Sequence, residues 1–249
     1  MSGPAGAAAA LSLTDHRPWA LPEQPWAWRQ SWLDLLFAHW PMPAAALRPL
    51  VPQPLALQEF DGRAWIGVVP FRMTGVMRRP LPDIPGVSAF AEMNVRTYVT
   101  FDGKPGVWFL SLDANNALAV WAARRWFHLP YHRARMSIAA EGEGFRYASA
   151  RPGAVFRATY GPVSEVFRAS VGSLEHFLTE RYCLYACAPD GAIARTDVHH
   201  RPWPLQRATA SIEVNSMLEA HGLETPPVPP LVHFARRLDV VVWNPERVA

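Results

Sequence analysis

Lysine is nearly absent: Lys104 stands alone against twenty-three arginines, the 24 basic residues less one. It lies in a tight turn, Phe101-Asp102-Gly103-Lys104-Pro105-Gly106. Cysteine is almost as scarce, and Cys183 and Cys187 allow at most one disulfide, which excludes a secreted disulfide framework. Charged residues make up only 18% of the chain and the formal net charge is +3. The arginine pairs Arg78-Arg79, Arg124-Arg125 and Arg236-Arg237 stand apart, without the clustered footprint of a nucleic-acid binder. No apolar run reaches the roughly 20 residues of a membrane helix. The alanine run ending at Leu13 has no Lys or Arg before it, as a signal peptide would. A cytoplasmic protein with no membrane and no nucleic-acid partner is the expectation.

What is present is core-forming material. Half of the 249 residues are hydrophobic, with eleven tryptophans and twelve phenylalanines. A chain of this length buries roughly 70–75% of its unfolded surface. Residues 1–27 are rich in Ala, Pro and Gly without periodicity, which predicts a disordered tail, and 28–249 read as a single domain. Ser31-Trp32-Leu33-Asp34 has the spacing of a capping box, so a short helix is expected through Phe37, and a second over Ala44 to Leu50. Asp61-Gly62, Asp102-Gly103 and Asp190-Gly191 each lie between β-prone runs and predict hairpins. Asp113 to Phe127 reads as the best helix, capped by Asp113 and stopped by Pro130. Ser173 caps another, running to about Arg181. Strands are expected over 131–140, 144–151, 154–160, 182–188, 193–198, 207–214 and 238–243, with a short helix over Asn215 to His221. Long β regions interrupted by isolated helices point to an α+β domain on an antiparallel sheet.

Several segments, in order, resemble the YqjF-like family of uncharacterised bacterial proteins, within the acetoacetate decarboxylase-like superfamily. They include Trp32-Leu33-Asp34-Leu35-Leu36-Phe37-Ala38-His39-Trp40, Ala64-Trp65-Ile66-Gly67-Val68-Val69-Pro70-Phe71, Asn94-Val95-Arg96-Thr97-Tyr98-Val99 and Gly106-Val107-Trp108-Phe109-Leu110-Ser111-Leu112-Asp113-Ala114. Thr179-Glu180-Arg181-Tyr182-Cys183-Leu184-Tyr185 and His199-His200-Arg201-Pro202-Trp203-Pro204-Leu205 extend the match. The resemblance implies a bent antiparallel sheet, a β-cone around a central cavity with a few peripheral helices. It attaches no activity to the close family, and it hints at a homo-oligomer. The decarboxylases are similar over Phe127-His128-Leu129-Pro130-Tyr131-His132, but there two lysines follow the proline. One forms the imine and the second lowers its pKa. Tyr131 and His132 occupy those positions here, so decarboxylation through an imine is excluded.

Glu92, Asn94, Arg96 and Tyr98 alternate with Met93, Val95, Thr97 and Val99, so a strand places the four polar groups on one face. That face is either solvated or a cavity wall on which Arg96 forks to a carboxylate and Asn94 directs hydrogen bonds. The superfamily resemblance supports the cavity. His128, Tyr131 and His132 are candidates for acid–base work or oxyanion donation. Adjacent strand residues point to opposite sides, so only one of Tyr131 and His132 faces the cavity, and the resemblance favours Tyr131. Arg181, Tyr182 and Tyr185, with Trp203, are further pocket candidates, and for Trp203 the core reading is the stronger of the two. Trp32, Trp40 and Trp65 read as packing alone. His199 and His200 diverge on a strand and Cys183 and Cys187 have core neighbours, so no metal is expected, and no cofactor motif is present.

The expectation is an enclosed cavity binding a small organic acid or ketone-like metabolite. Two uses of it fit the sequence: turnover by lyase- or isomerase-like acid–base chemistry, or binding alone as a sensor. A structural or assembly role would show as a large exposed apolar patch.

Overall fold

The computed structural model describes residues 10–81 and 88–249. The first regular element is a strand, β1 (Trp28–Met42), where a helix was expected through Phe37. Nearly every residue from Leu35 to Trp40 is apolar, a pattern that suits a strand covered on both faces as well as a helix. Asp34 does not cap anything. It adopts φ 54° and supplies the extra residue of a bulge: Leu33 and Ala38 on β1 face Arg72 and Val68 on β3 (Ala64–Arg78), five steps against four.

From β3 the sheet passes antiparallel to β4 (Phe90–Phe101), which also pairs with the two-residue β2 (Ala56–Leu57), and then to β5 (Lys104–Ala114). It then runs parallel to β10 (Cys183–Cys187) and antiparallel to β11 (Ile193–His200). β13 (Leu231–Val242) pairs with β1 on one side and with β11 on the other, through Val198 opposite Val242 and His200 opposite Val240. Seven strands thus close on themselves, which leaves no open edge in the ring. From β13 a second layer continues through β12 (Gln206–Asn215), β9 (Ala154–Pro162), β8 (Gly144–Arg151) and β7 (Arg135–Glu141). The fold is the expected bent sheet around a cavity with peripheral helices. It departs from a purely antiparallel sheet where β5 pairs in parallel with β10 and with the short β6 (Tyr131–Arg133).

Strands β1, β3 and β4 divide their side chains between two cores. Leu36, Ala38 and Trp40 of β1, Ile66 and Val68 of β3, and Met93 and Val95 of β4 pack outward against Phe145, Tyr147, Phe156 and Tyr160 of the second layer. Leu35, Phe37, Val69, Phe71, Leu112, Val198 and Val240 form a separate interior cluster. Neither face of β4 is therefore solvated.

The Asp-Gly turns behave as their chemistry requires. Asp61 and Asp102 sit at φ 50°, and Gly62 and Gly103 at φ 70° and 68°, the left-handed pair of a tight hairpin. After the short helix α1 (Ala44–Leu47), Asp113 remains in β5, held there by parallel pairing with His132, and the helix α2 (Ala117–Phe127) starts later. Asn116 caps it, accepting from the Leu118 and Ala119 amides at 3.0 and 3.1 Å. Ser173 caps the shorter α3 (Leu174–Thr179) as its sequence suggests.

The segment before Trp28, expected to be a disordered tail, is packed from Ala10 onward; residues 1–9 lie outside the described residues. Arg17 is buried, donating to the Val198 carbonyl at 2.6 Å and to Asp197 at 3.2 Å. The Trp19 indole donates to the same carboxylate at 2.8 Å. Leu11, Leu21 and Trp26 cover Val241 and Trp243. Periodicity could not reveal this segment because it docks as irregular chain. Among the described residues no helix is long and apolar enough to cross a membrane.

Candidate functional site

The ring encloses a cavity of about 400 Å³. Its wall is mostly aromatic and aliphatic, including Trp28, Trp32, Val69, Phe71, Met73, Phe109, Leu112 and Trp203. Against that wall β4 sets Glu92, Asn94 and Arg96, the inward residues of its alternation. Phe90, Glu92, Asn94 and Arg96 line the cavity in turn along the strand, and the floor is the end at which Arg96 meets the end of α3.

Glu92 is 2% exposed and receives the Tyr131 hydroxyl on Oε2 at 2.7 Å. Burial pushes its carboxyl up to about 8; the Tyr131 hydrogen bond opposes that shift without cancelling it. Among the described residues no cation lies within ion-pair distance of it. Glu92 is therefore predominantly a neutral acid at pH 7. The same burial, with the neighbouring carboxyl, drives the Tyr131 hydroxyl well above its ordinary range, so it stays protonated at neutral pH. Parallel pairing of β6 with β5 sets this contact, because Leu112 and Tyr131 are register partners and both face inward.

Arg96 forms the floor. Its Nη2 donates to the Leu178 carbonyl at 2.9 Å and its Nε to the Tyr98 hydroxyl at 3.3 Å. Its guanidinium lies 5.2 Å from the Phe37 ring and 5.6 Å from that of Tyr98. Behind Tyr98, Arg181 donates to the Phe177 carbonyl and to Gln58. Neither arginine pairs with a carboxylate among the described residues, whereas buried Arg17 pairs with Asp197 and Arg151 with Asp113. Buried charges ordinarily are paired, so this end of the cavity carries positive charge without an internal counter-ion.

His39 completes the floor. Tyr98 gives its proton to the Leu178 carbonyl at 2.8 Å, so the 2.6 Å contact from His39 Nε2 is a donation to the phenol oxygen. Burial, and then the charge of Arg96, hold this imidazole neutral, well below its usual range. Gly67 on β3 makes room for it: a Cβ there would lie 2.8 Å from the His39 ring. Gly67→Ala should displace that ring, costing about 1–3 kcal/mol. A fall of several degrees in the thermal midpoint, with weakened anion binding, is the expected result; an unshifted midpoint would show that the ring yields freely.

The structure thus brings Glu92, Asn94, Arg96 and Tyr131 into one wall. The Asn94 Oδ1 is buried there without a partner among the described residues. Tyr98 sits behind Arg96, and Arg181 behind Tyr98, so both support the floor and neither lines the cavity. Tyr182 lies outside it too, stacked on His200 at 4.8 Å and donating to Glu180. Tyr185 bonds the carbonyls of Phe101 and Lys104. His132 points away from the cavity toward Asp113 and Arg151, as period two demands once Tyr131 faces in. His128 ends α2 in the left-handed region at φ 53° and is no part of the wall. Lys104 lies outside as well, 6.0 Å from the Trp19 ring. Trp32, read from sequence as packing alone, and Trp203, a pocket candidate for which core was the stronger reading, stack at 5.7 Å within the cavity wall. No sequence signal separates a wall tryptophan from a core one.

Solved structures share this architecture. The chain matches the enduracididine biosynthesis enzyme MppR complexed with pyruvate at 13% identity, with 96% of both chains covered and a TM-score of 0.65. It matches an acetoacetate decarboxylase-like enzyme from Sphingomonas wittichii RW1 at 14% identity and a TM-score of 0.64, covering 90% of this chain and 94% of that one. An acetoacetate decarboxylase structure gives 13% identity, 90% of each chain and a TM-score of 0.61. At such identities the likeness is one of fold. Sequence reaches further: the chain is 47% identical to the uncharacterized protein YqjF of Bacillus subtilis (strain 168) over 227 residues, 90% of this chain and 93% of that protein. The DUF2071 model, an uncharacterized conserved protein family (COG2071), matches residues 29–239, and the chain belongs to that family.

Proposed function

We propose that the cavity binds a small organic or keto acid with its carboxylate on Arg96, and that Glu92 moves protons on it without a covalent amine. The observation that carries this reading is a buried acid near pKa 8, hydrogen-bonded by Tyr131 and sharing one strand face with an unpaired guanidinium. An acid poised near the operating pH serves as donor and, in its ionised fraction, as acceptor. Ionised Glu92 would take a proton from the carbon beside a ketone. The Tyr131 hydroxyl, released from the carboxylate, would turn to the enolate oxygen, and Glu92 would return a proton to carbon. That MppR, which shares this fold, is complexed with pyruvate supports a carboxylate as the head group held in the cavity.

Exchange of hydrogens beside the ketone of bound oxo acids in which several carbons separate the ketone from the carboxylate, followed by NMR in deuterated water, tests this chemistry. The rate should climb about tenfold per pH unit and level above pH 8, where Glu92 is ionised. Glu92→Gln should abolish it, and Tyr131→Phe should slow it by about 10²-fold or more. Borohydride added with the same acids should trap no adduct; a mass increase on Lys104 would overturn the amine-free reading. Binding without turnover is the second reading, favoured because the partner of Glu92 is a tyrosine and not a histidine that could share the proton at pH 7. Tight binding with no exchange at any pH would establish it over the first.

A further inference from the structure

We infer that the ligand is an acid carrying an apolar chain or ring system, which runs from Glu92 out to a mouth built by α2. This rests on the acid-binding reading above and specifies what is attached to the acid. Glu92 and Arg96 are four residues apart on one strand, about 13 Å at Cα. A three-carbon acid held by Arg96 cannot also reach Tyr131. The cavity, at about 400 Å³, falls in the size range of drug-sized ligands.

Beyond Glu92 the wall is apolar, Gln30 and Ser88 aside, with Met73, Phe90 and Phe127 leading outward. It ends in large apolar residues that the fold leaves in water. Leu118, Trp121 and Trp126 of α2 are 55%, 57% and 41% exposed, and Leu81 across the mouth is 54% exposed. All four also line the cavity, so the exposed patch and the interior are one continuous surface. Arg78 marks the edge, its guanidinium 5.9 Å from the Trp28 ring and 5.6 Å from that of Trp126. An apolar path from a cationic floor to a wet rim suits a ligand whose charge lies innermost and whose apolar part is drawn toward the surface.

Calorimetric titration with straight-chain carboxylates from butanoate to dodecanoate tests the inference. Affinity should tighten about fourfold for each methylene added along the wall, the equivalent of about 0.8 kcal/mol. Alcohols of the same length should bind far more weakly. Leu118→Glu and Trp121→Glu, at exposed positions that folding tolerates, should erase the gain for the longest chains and leave butanoate unchanged. Affinity independent of chain length would overturn the apolar-ligand inference and leave the acid at Arg96 standing. Acids and alcohols that tighten in parallel, indifferent to Arg96→Leu, would overturn the acid reading and with it the ligand class stated here.

Discussion

Replacing Glu92 by glutamine should raise the melting temperature at pH 7 and leave it nearly unchanged near pH 4. Burial lifts the folded-state carboxyl from 4.5 to about 8. Below the unfolded value both states hold the proton and the group is neutral in each. As the pH rises from 4.5 toward 8, the unfolded chain sheds the proton and the folded one keeps it. Stability therefore falls with pH, by about 1.4 kcal/mol per unit, and the loss is complete only above the folded value. At pH 7 that is about 3 kcal/mol. Glutamine never ionises and still offers Tyr131 an oxygen at the same place, so the variant escapes the loss. For a chain of this size the gain corresponds to roughly 6–12 °C. Calorimetric melts of both proteins from pH 4 to 8 should show curves that meet in acid and diverge toward neutrality; curves that stay parallel would mean Glu92 is ionised in the folded state. A residue that lowers stability at working pH is what a functional site retains.

The sequence shows the wall of this site more clearly than its surroundings. Four polar residues alternating with apolar ones on β4 declare a face, because a strand leaves them no other arrangement. Tyr131 and His132 illustrate the same rule: adjacency on a strand requires that one face away. β1 was illegible for the opposite reason. With both sides covered, every position is apolar, and the two-residue period that identifies a strand disappears. Asp34 then imitates a helix cap while serving as a bulge. Asp113 misleads similarly, since its alternative to capping α2 is a buried ion pair with Arg151, thirty-eight residues away and visible only in three dimensions. Alternation along β4 places Tyr98 on the cavity face, and Arg181 and Tyr182 are pocket candidates on no such periodic ground. Tyr98 shares the inward face of β4 but is covered by Arg96 and α3, a matter of depth that periodicity does not encode.

Arg96→Leu should weaken carboxylate binding by about a hundredfold, corresponding to roughly 3 kcal/mol, while a matched alcohol is affected little. The guanidinium is anchored without being neutralised: a carbonyl, a phenol and two aromatic faces hold it, and Arg181 adds like charge nearby. An arriving carboxylate supplies the missing counter-charge, so its loss is felt in affinity more than in folding. The Leu178 carbonyl keeps the Tyr98 hydroxyl at 2.8 Å when Arg96 is gone, which protects the floor from an unpaired acceptor. Arg96→Lys should recover only a small part of the loss. A single ammonium cannot hold that carbonyl and present a planar fork to the ligand as well. Equal affinities for the acid in all three proteins, measured by titration calorimetry at low salt, would remove Arg96 from the binding site and the anion from the ligand.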